Sequence, residues 1–304
     1  MPGRRSERRF GGTGVLLLTP IIWGASFPAT KRALDTLPLL PFTAWSRLLG
    51  LLAIAAVLPF FRPSREAVRR VVGPGLLLGS LMFVAFLLQT EGINRGTATN
   101  AGFITGLYVV FTPLLGLLLF RQPVTGAAWL AVAISVLGLY LLTAPEPFVF
   151  RMGDGDLFVV AGAVGWGAHI VVLGRVASRH PALLLGFAQM AAATALHLIV
   201  AAPGGMHPGG AAESWHLLVV TGVFGSGVAF TIQVLGQQEV GAARAAILLA
   251  GESVVAAGLA AIWLGERLEP HQWVGAAIMV AAMAISELGA RRKPVERIDP
   301  AAVP

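Results

Sequence analysis

Cysteine is absent from the 304 residues. That excludes disulfide frameworks and thiolate metal sites and removes any clue to redox compartment. Charge is scarce as well, at 12% of the chain, where a soluble domain carries about a quarter. No lysine falls mid-span and Arg47 is nearly alone there, so a cavity built to hold phosphate between several cations is not expected. The six histidines contain no H-E-x-x-H pair, which argues against a zinc hydrolase. "FGSGV" at 224–228 sets Gly directly before Ser226, unlike a G-x-S-x-G nucleophile turn. Dinucleotide and P-loop fingerprints are missing too. An intramembrane enzyme is therefore the remote alternative, and no cofactor or metal is expected.

What the chain has in excess is apolar sequence: 56% hydrophobic residues and a mean hydropathy of +0.77. Roughly 20 mostly apolar residues cross a bilayer as a helix. Ten such spans are predicted, near 13–34, 41–61, 68–91, 97–120, 125–143, 155–178, 181–202, 214–237, 241–264 and 270–290. Proline and glycine punctuate them at "LPLLP" (37–41), "RQPVTG" (121–126), "APEPF" (144–148) and "APGGMHPGG" (202–210). The first run follows "MPGRRSERRF" but is long and lacks a small-x-small cleavage site, so it is read as a retained span rather than a signal peptide. The tail "RRKPVERIDPAAVP" is charged and proline-containing and is expected to be disordered.

The net charge of +7 does not point to nucleic acid, because the basic residues lie between apolar runs and at the two ends. With the N-terminus cytoplasmic, sixteen Lys and Arg fall on inner segments, five on outer segments, and Arg47 within the second span. This bias fits an even number of spans with both termini inside.

The chain also repeats itself. Gln89–Leu139 laid over Gln233–Met283 without gaps pairs Gln89 with Gln233, Gly92 with Gly236, Ala98 with Ala242 and Trp129 with Trp273, among ten identities in 51 positions. At an offset near 143, "WGAS" (23–26) falls on "WGAH" (166–169). Five spans are thus followed by five more. Five is odd, so the second set enters from the opposite side, as in secondary transporters with inverted repeats and a midplane substrate site. The expected organisation is a cytoplasmic segment 1–12, a first five-helix repeat 13–143, a second repeat 155–290, and a cytoplasmic tail 291–304.

Within this frame the chain resembles the ten-helix drug/metabolite transporter superfamily, EamA type, over about residues 13–290. The resemblance is carried by "WGASF" in the first span, "GLYVVFTPLLGLLLFRQPVTGAAWLAVAISVLGLYLL" in the first half, and "LAGESVVAAGLAAIWLGERLEPHQWVGAAIMVAA" in the second. It implies an all-helical basket with a central cavity lined by helices 1, 3, 4, 6, 8 and 9. It also implies outward transport of amino acids and similar small metabolites across a bacterial inner membrane. Two positions depart from the family pattern: Gln122 stands where the second half has Glu266, and Ser253 stands where many relatives have proline after the glutamate.

Six residues are candidates for substrate binding or coupling: Glu252, Tyr108, Trp23, Trp166, His169 and Ser26. Glu252 lies in the middle of "AILLAGESVVAAGLAAIWLGE" (246–266). An ionised carboxylate in an apolar medium must be protonated, paired or exposed to a water-filled cavity. It serves substrate binding, proton coupling, or a structural hydrogen bond to a neighbouring helix. Its repeat partner is Tyr108. Trp23 and Trp166 are repeat-related, and Ser26 and His169 follow them at i+3, on the same helical face. They read either as aromatic walls with polar atoms beside them or as helix packing. His169 fits a hydrogen-bonded core histidine as well as a proton shuttle. Arg47 fits a contact to a substrate carboxylate or a side chain reaching for lipid headgroups. Gln89 and Gln233 are expected to tie helices together. The remaining tryptophans fit interfacial or packing positions. Glu266 and Arg267 suggest an ion pair at a helix end. The expected partners are a small-molecule substrate and the lipid bilayer, and the oligomeric state is left open.

Overall fold

The computed structural model describes residues 7–143, 153–263 and 268–291. All regular structure among them is helical. Eight helices are long and apolar enough to cross a membrane: α1 (Gly11–Ala33), α2 (Leu39–Phe61), α3 (Arg65–Arg95), α4 (Asn100–Phe120), α6 (Asp156–Arg179), α7 (Ala182–Gly204), α8 (Trp215–Gln237) and α9 (Ala242–Leu259). Between the two sets lies a shorter apolar helix, α5 (Gly126–Leu142). The last helix, α10 (Pro270–Arg291), has 22 residues. Helical structure begins at Glu7, ahead of the expected start at 13. The "LGERL" motif with Glu266 and Arg267, the "APEPF" turn and the tail beyond Arg291 lie outside the described residues.

Local chemistry sets the helix ends. Ser64 Oγ accepts from Ala67 N (3.2 Å) and Thr97 Oγ1 from Asn100 N (3.1 Å), capping α3 and α4 at their starts. Gly205 and His207, both at positive φ, turn the chain inside the proline- and glycine-rich stretch after α7. Large apolar side chains such as Leu18, Ile21, Leu118, Trp215 and Trp273 are half or more exposed. An outward apolar belt of this kind suits lipid rather than water.

Small residues let the helices approach closely, as membrane bundles favour. The approaches also reveal direction. Arg244 Nη2 donates to Thr13 Oγ1 (2.6 Å), and Gly24 faces Val255, so α1 and α9 run the same way. The Glu252–Trp263 part of α9 packs on the Ala98–Gly106 part of α4, and the Ala242–Leu249 part on Tyr108–Phe120, so these two run oppositely. Gly167 faces Phe111 and Gly116 faces Val171, which makes α4 and α6 parallel. It follows that α1 and α6, the first helix of each set, point in opposite directions.

Helices α4 and α9 are both interrupted at repeat-related positions. Around Leu107 the bonds tighten to an i+3 pattern, with Val110 N donating to Leu107 O (2.9 Å). Around Gly251, one repeat later, Val254 N donates to Gly251 O (3.1 Å). Tyr108 and Glu252 therefore each begin a second half-helix. Ser253 takes the place of the proline that the resemblance leads one to expect, yet the helix is interrupted there all the same. Helix α8 departs differently, with a π-helical stretch over Val219–Val228, a distortion common where helices meet a functional cavity.

Candidate functional site

A cavity lies inside the bundle, lined from α1, α2, α3, α4, α6, α8 and α9. Those are the helices implied by the resemblance, with α2 added through Phe42 and Arg47. Four of the lining residues toward helix ends are Thr30 on α1, Phe42 on α2, Thr90 on α3 and Thr221 on α8. All lie toward the end of the bundle that carries the 34–38, 96–97 and 205–214 connections. The cavity thus runs from mid-bundle toward that end. Toward the other end the helices close on Leu16, Leu173, Val234 and Ala245–Leu249, each 2% exposed or less. Polar ties reinforce the closed end: Gly12 N donates to Glu239 Oε2 (3.2 Å), and Gln238 Nε2 to the carbonyls of Ala177 (3.3 Å) and His180 (2.9 Å).

Five repeat-related pairs meet in this cavity: Trp23 with Trp166, Phe27 with Ile170, Phe86 with Phe230, Gln89 with Gln233, and Tyr108 with Glu252. The aromatic members form one cluster. Trp23 and Phe230 have ring centroids 4.8 Å apart, Phe86 and Trp166 4.6 Å, and Phe86 and Phe230 5.6 Å. These are edge and tilted contacts, the arrangements aromatic quadrupoles prefer. Trp23 Nε1 donates to Gly225 O (3.0 Å) in the π-helical stretch, while Trp166 Nε1 has no partner. Ser26 also lines the cavity, its hydroxyl donating back to Ile22 O (3.1 Å).

Glu252 is 3% exposed, and its Oε1 has no hydrogen-bond partner. No salt bridge among the described residues reaches it. Tyr108 faces it closely enough for its hydroxyl to interact with the Glu252 carboxyl across the two interrupted helices. The next residue, Ser253, donates to Gly102 O on α4 (2.9 Å) and fastens the two interrupted helices together. A buried carboxyl group with a free oxygen facing a cavity has capacity left for a cationic or hydrogen-bonding ligand.

Of the six candidates, five line the cavity and His169 does not. His169 is fully buried and its Nε2 pairs with Gln189 Oε1 on α7 (3.0 Å), its ring edge-on to Trp166 and Phe230 at 5.9 Å between centroids, behind the cavity wall. Gln89 and Gln233 line the cavity while bonding Thr105 Oγ1 (3.0 Å) and Gln237 Oε1 (3.1 Å). Sequence reasoning passed over Phe86 and Phe230, although the offset of 144 that pairs Gln89 with Gln233 pairs them too. It also left Arg47 undecided. The structure places Arg47 in the cavity wall, 3% exposed, with its guanidinium 3.6 Å from the centroid of the Phe86 ring.

The comparisons agree with this architecture. The model of the EamA-like transporter family matches twice, over residues 11–144 and 154–287. An uncharacterized transporter of Archaeoglobus fulgidus is 29% identical over 277 residues, covering 90% of this chain and 84% of that protein. The threonine/homoserine exporter RhtA of Salmonella typhimurium is 26% identical over 294 residues, covering 93% and 88%. One solved crystal structure, 20% identical, covers 95% of this chain and 99% of its own with a TM-score of 0.75, a likeness of fold. With two copies of the family's unit spanning most of its length and a multi-pass helical bundle built around a cavity between them, the chain belongs to the EamA-like transporter family.

Proposed function

We propose that this protein is a secondary transporter that exports neutral, including aromatic, amino acids and related small metabolites by alternating access. In this reading ten helices span the inner membrane of a bacterium as two inverted five-helix repeats, with both termini cytoplasmic. The observation that carries it is the cavity lined by the same positions of both repeats. Exchange of conformation between inverted halves around such a site generates the inward- and outward-facing states. The opposite directions of α1 and α6 support the inversion. The charge bias puts the end bearing residues 34–38 outside, so the cavity described above is the outward-reaching one. The likeness to a threonine/homoserine exporter supports amino acids as cargo, and the aromatic cluster suits planar side chains.

Counterflow in liposomes tests the reading: unlabelled internal amino acids should drive saturable uptake of labelled L-threonine or L-phenylalanine. Absence of counterflow with any amino acid, in protein that remains folded, overturns it. The topology has its own test, made simple by the lack of cysteine. Phe148→Cys and Pro300→Cys should label from opposite sides of the membrane, and labelling from one side alone overturns the ten-span arrangement.

A second reading is favoured by Glu252 beside an aromatic cluster. A carboxylate with aromatic faces is also how organic cations are held, which makes proton-coupled export of cationic compounds the alternative. Uptake of acridine- or ammonium-type dyes driven by an imposed proton gradient, in preference to amino acids, marks that case.

A further inference from the structure

Among the described residues, Arg47 is the one cation in the wall of the cavity. It is 3% exposed, its Nε and Nη1 have no hydrogen-bond partner, and no salt bridge among the described residues includes it. Its guanidinium lies flat enough on Phe86 to sit 3.6 Å from the ring centroid. An arginine serving the membrane surface stretches its head to the headgroups; this one is turned inward onto an aromatic ring instead. Nor is it held by its own backbone neighbourhood: the Thr194 hydroxyl donates to the Arg47 carbonyl (3.0 Å) and leaves the side chain free. The charged and titratable groups facing it are few. His197 on α7 is near enough to feel its charge and already bonds Ala193 O through Nδ1 (2.8 Å). No acid is paired with it.

A buried cation with open donors is unstable unless an anion completes it. The guanidinium fork matches a carboxylate in two parallel hydrogen bonds. The same cavity holds Glu252, whose free Oε1 complements an ammonium group. We propose that Arg47 is the carboxylate-binding residue of the transport site, so that substrates carry a free carboxylate, with the ammonium of an α-amino acid directed to Glu252. The inference rests on the amino-acid reading above and narrows it: an amine, an amide or an ester of the same side chain is a poor ligand.

The test uses purified full-length protein and matched probes, L-phenylalanine against L-phenylalaninamide and phenethylamine. Thermal stabilisation in detergent reads binding, and counterflow in liposomes reads transport. Wild-type protein should be stabilised by L-phenylalanine and little by the amide. Arg47→Met should bind the free acid on the order of tenfold to a hundredfold more weakly, the range of a charge-assisted pair, bringing it level with the amide. Arg47→Lys, which keeps charge but not the fork, should fall between, and this variant also guards against a simple failure to fold. An unchanged acid-over-amide preference in Arg47→Met overturns the proposal. So does equal stabilisation by chloride alone, which makes Arg47 an inorganic-anion site. Stabilisation by phenethylamine in preference to the free acid overturns both this inference and the amino-acid reading. An acid preference that Arg47→Met abolishes, without counterflow of any amino acid, keeps the site and refutes only the transport reading.

Discussion

The two ends of the cavity are built from the same repeat and are chemically unlike. Thr30, Arg47, Thr90 and Thr105 line the end that reaches outward in the proposed topology. Advanced by one repeat, 143 residues for the first two and 144 for the others, they become Leu173, Met190, Val234 and Leu249. All four of these are fully buried in the closed end. At mid-cavity the contrast nearly vanishes: tryptophan meets tryptophan, phenylalanine meets phenylalanine, glutamine meets glutamine. Duplication supplies a symmetric frame and a symmetric aromatic centre, and divergence supplies a wet end and a dry one. A polar wall tolerates water, whereas buried apolar side chains exclude it until the helices separate. The dry end resembles a plug, and the wet end a vestibule.

The symmetric centre has one sharp exception, Tyr108 opposite Glu252, and the largest expected effect comes from breaking it. Glu252→Gln preserves shape and most hydrogen bonding and removes the ability to ionise. In folded, membrane-inserted protein it should reduce counterflow by at least about tenfold, the equivalent of one charge-assisted hydrogen bond, and flatten whatever pH dependence wild-type protein displays. Tyr108→Phe should weaken transport less, because it removes only a neutral hydroxyl. Wild-type rates and pH profile in Glu252→Gln assign the residue to packing instead.

Next in size is the contrast between vestibule and plug. In a chain without cysteine, single substitutions report accessibility directly. Thr30→Cys and Thr90→Cys should react with a membrane-impermeant thiol reagent applied from outside at least about tenfold faster than Leu173→Cys or Val234→Cys applied from inside, reflecting a population that favours one state. Val234→Thr combined with Leu249→Thr makes the plug resemble the vestibule and should raise reactivity on the inner side. Equal rates in wild-type background at both ends mean that the dry end is no barrier.

Smaller again is the aromatic centre. Trp166→Ala should weaken transport of L-phenylalanine relative to L-alanine by about twofold to tenfold, the value of an aromatic pair beyond its area. A uniform loss across both substrates makes Trp166 a packing residue. This outcome bears on a likeness to Trp23 that sequence alone made visible.

Legibility followed chemistry. A lone acid in a run of alanine, leucine and glycine stands out, as do two W-G-A motifs in register, so Glu252, Trp23, Trp166 and Ser26 could be nominated without coordinates. Tyr108 came through its register with Glu252. Phe86 and Phe230 could not be distinguished from the apolar residues around them, even though the repeat relates them; only packing reveals that both rings face inward. Arg47 was ambiguous because its role depends on a rotamer, outward to headgroups or inward to Phe86, that sequence does not encode. His169 occupies the register of Ser26, yet Gln189 on α7 captures its ring. That hydrogen bond depends on how two helices abut, and the i+3 spacing carries no trace of it. The eight long spans and their boundaries were readable to within a few residues, since bilayer thickness dictates them. The interruptions of α4 and α9 were not, because the positions carry no proline.

The smallest expected effect concerns that last point, and it separates the two interrupted helices by what fastens them. Ser253 is the second residue of the Glu252–Trp263 half-helix, where the first turn has few backbone bonds to lose. Its N–H makes an i+3 bond of 3.2 Å to Ala250 O, and its hydroxyl donates to Gly102 O on α4. Proline at this position removes both donors, each worth about 1 kcal/mol net. It also fixes φ near the helical value and suits a helix start. The two effects partly offset, so Ser253→Pro should be only about 1 kcal/mol less stable and should still transport, as its resemblance to the relatives' pattern implies. Proline two residues later, at Val255, enters the helix proper, loses the 3.2 Å bond to Gly251 O and meets the preceding carbonyl, at about 3 kcal/mol or more. Thermal unfolding in detergent ranks the two variants. If Ser253→Pro proves as damaging as Val255→Pro, the interruption is held open by the serine's tie to Gly102, and α4 sets the geometry of α9. If it proves nearly neutral, the Ala250–Gly251 pair suffices, and the hinge beside Glu252 is a property of α9 itself.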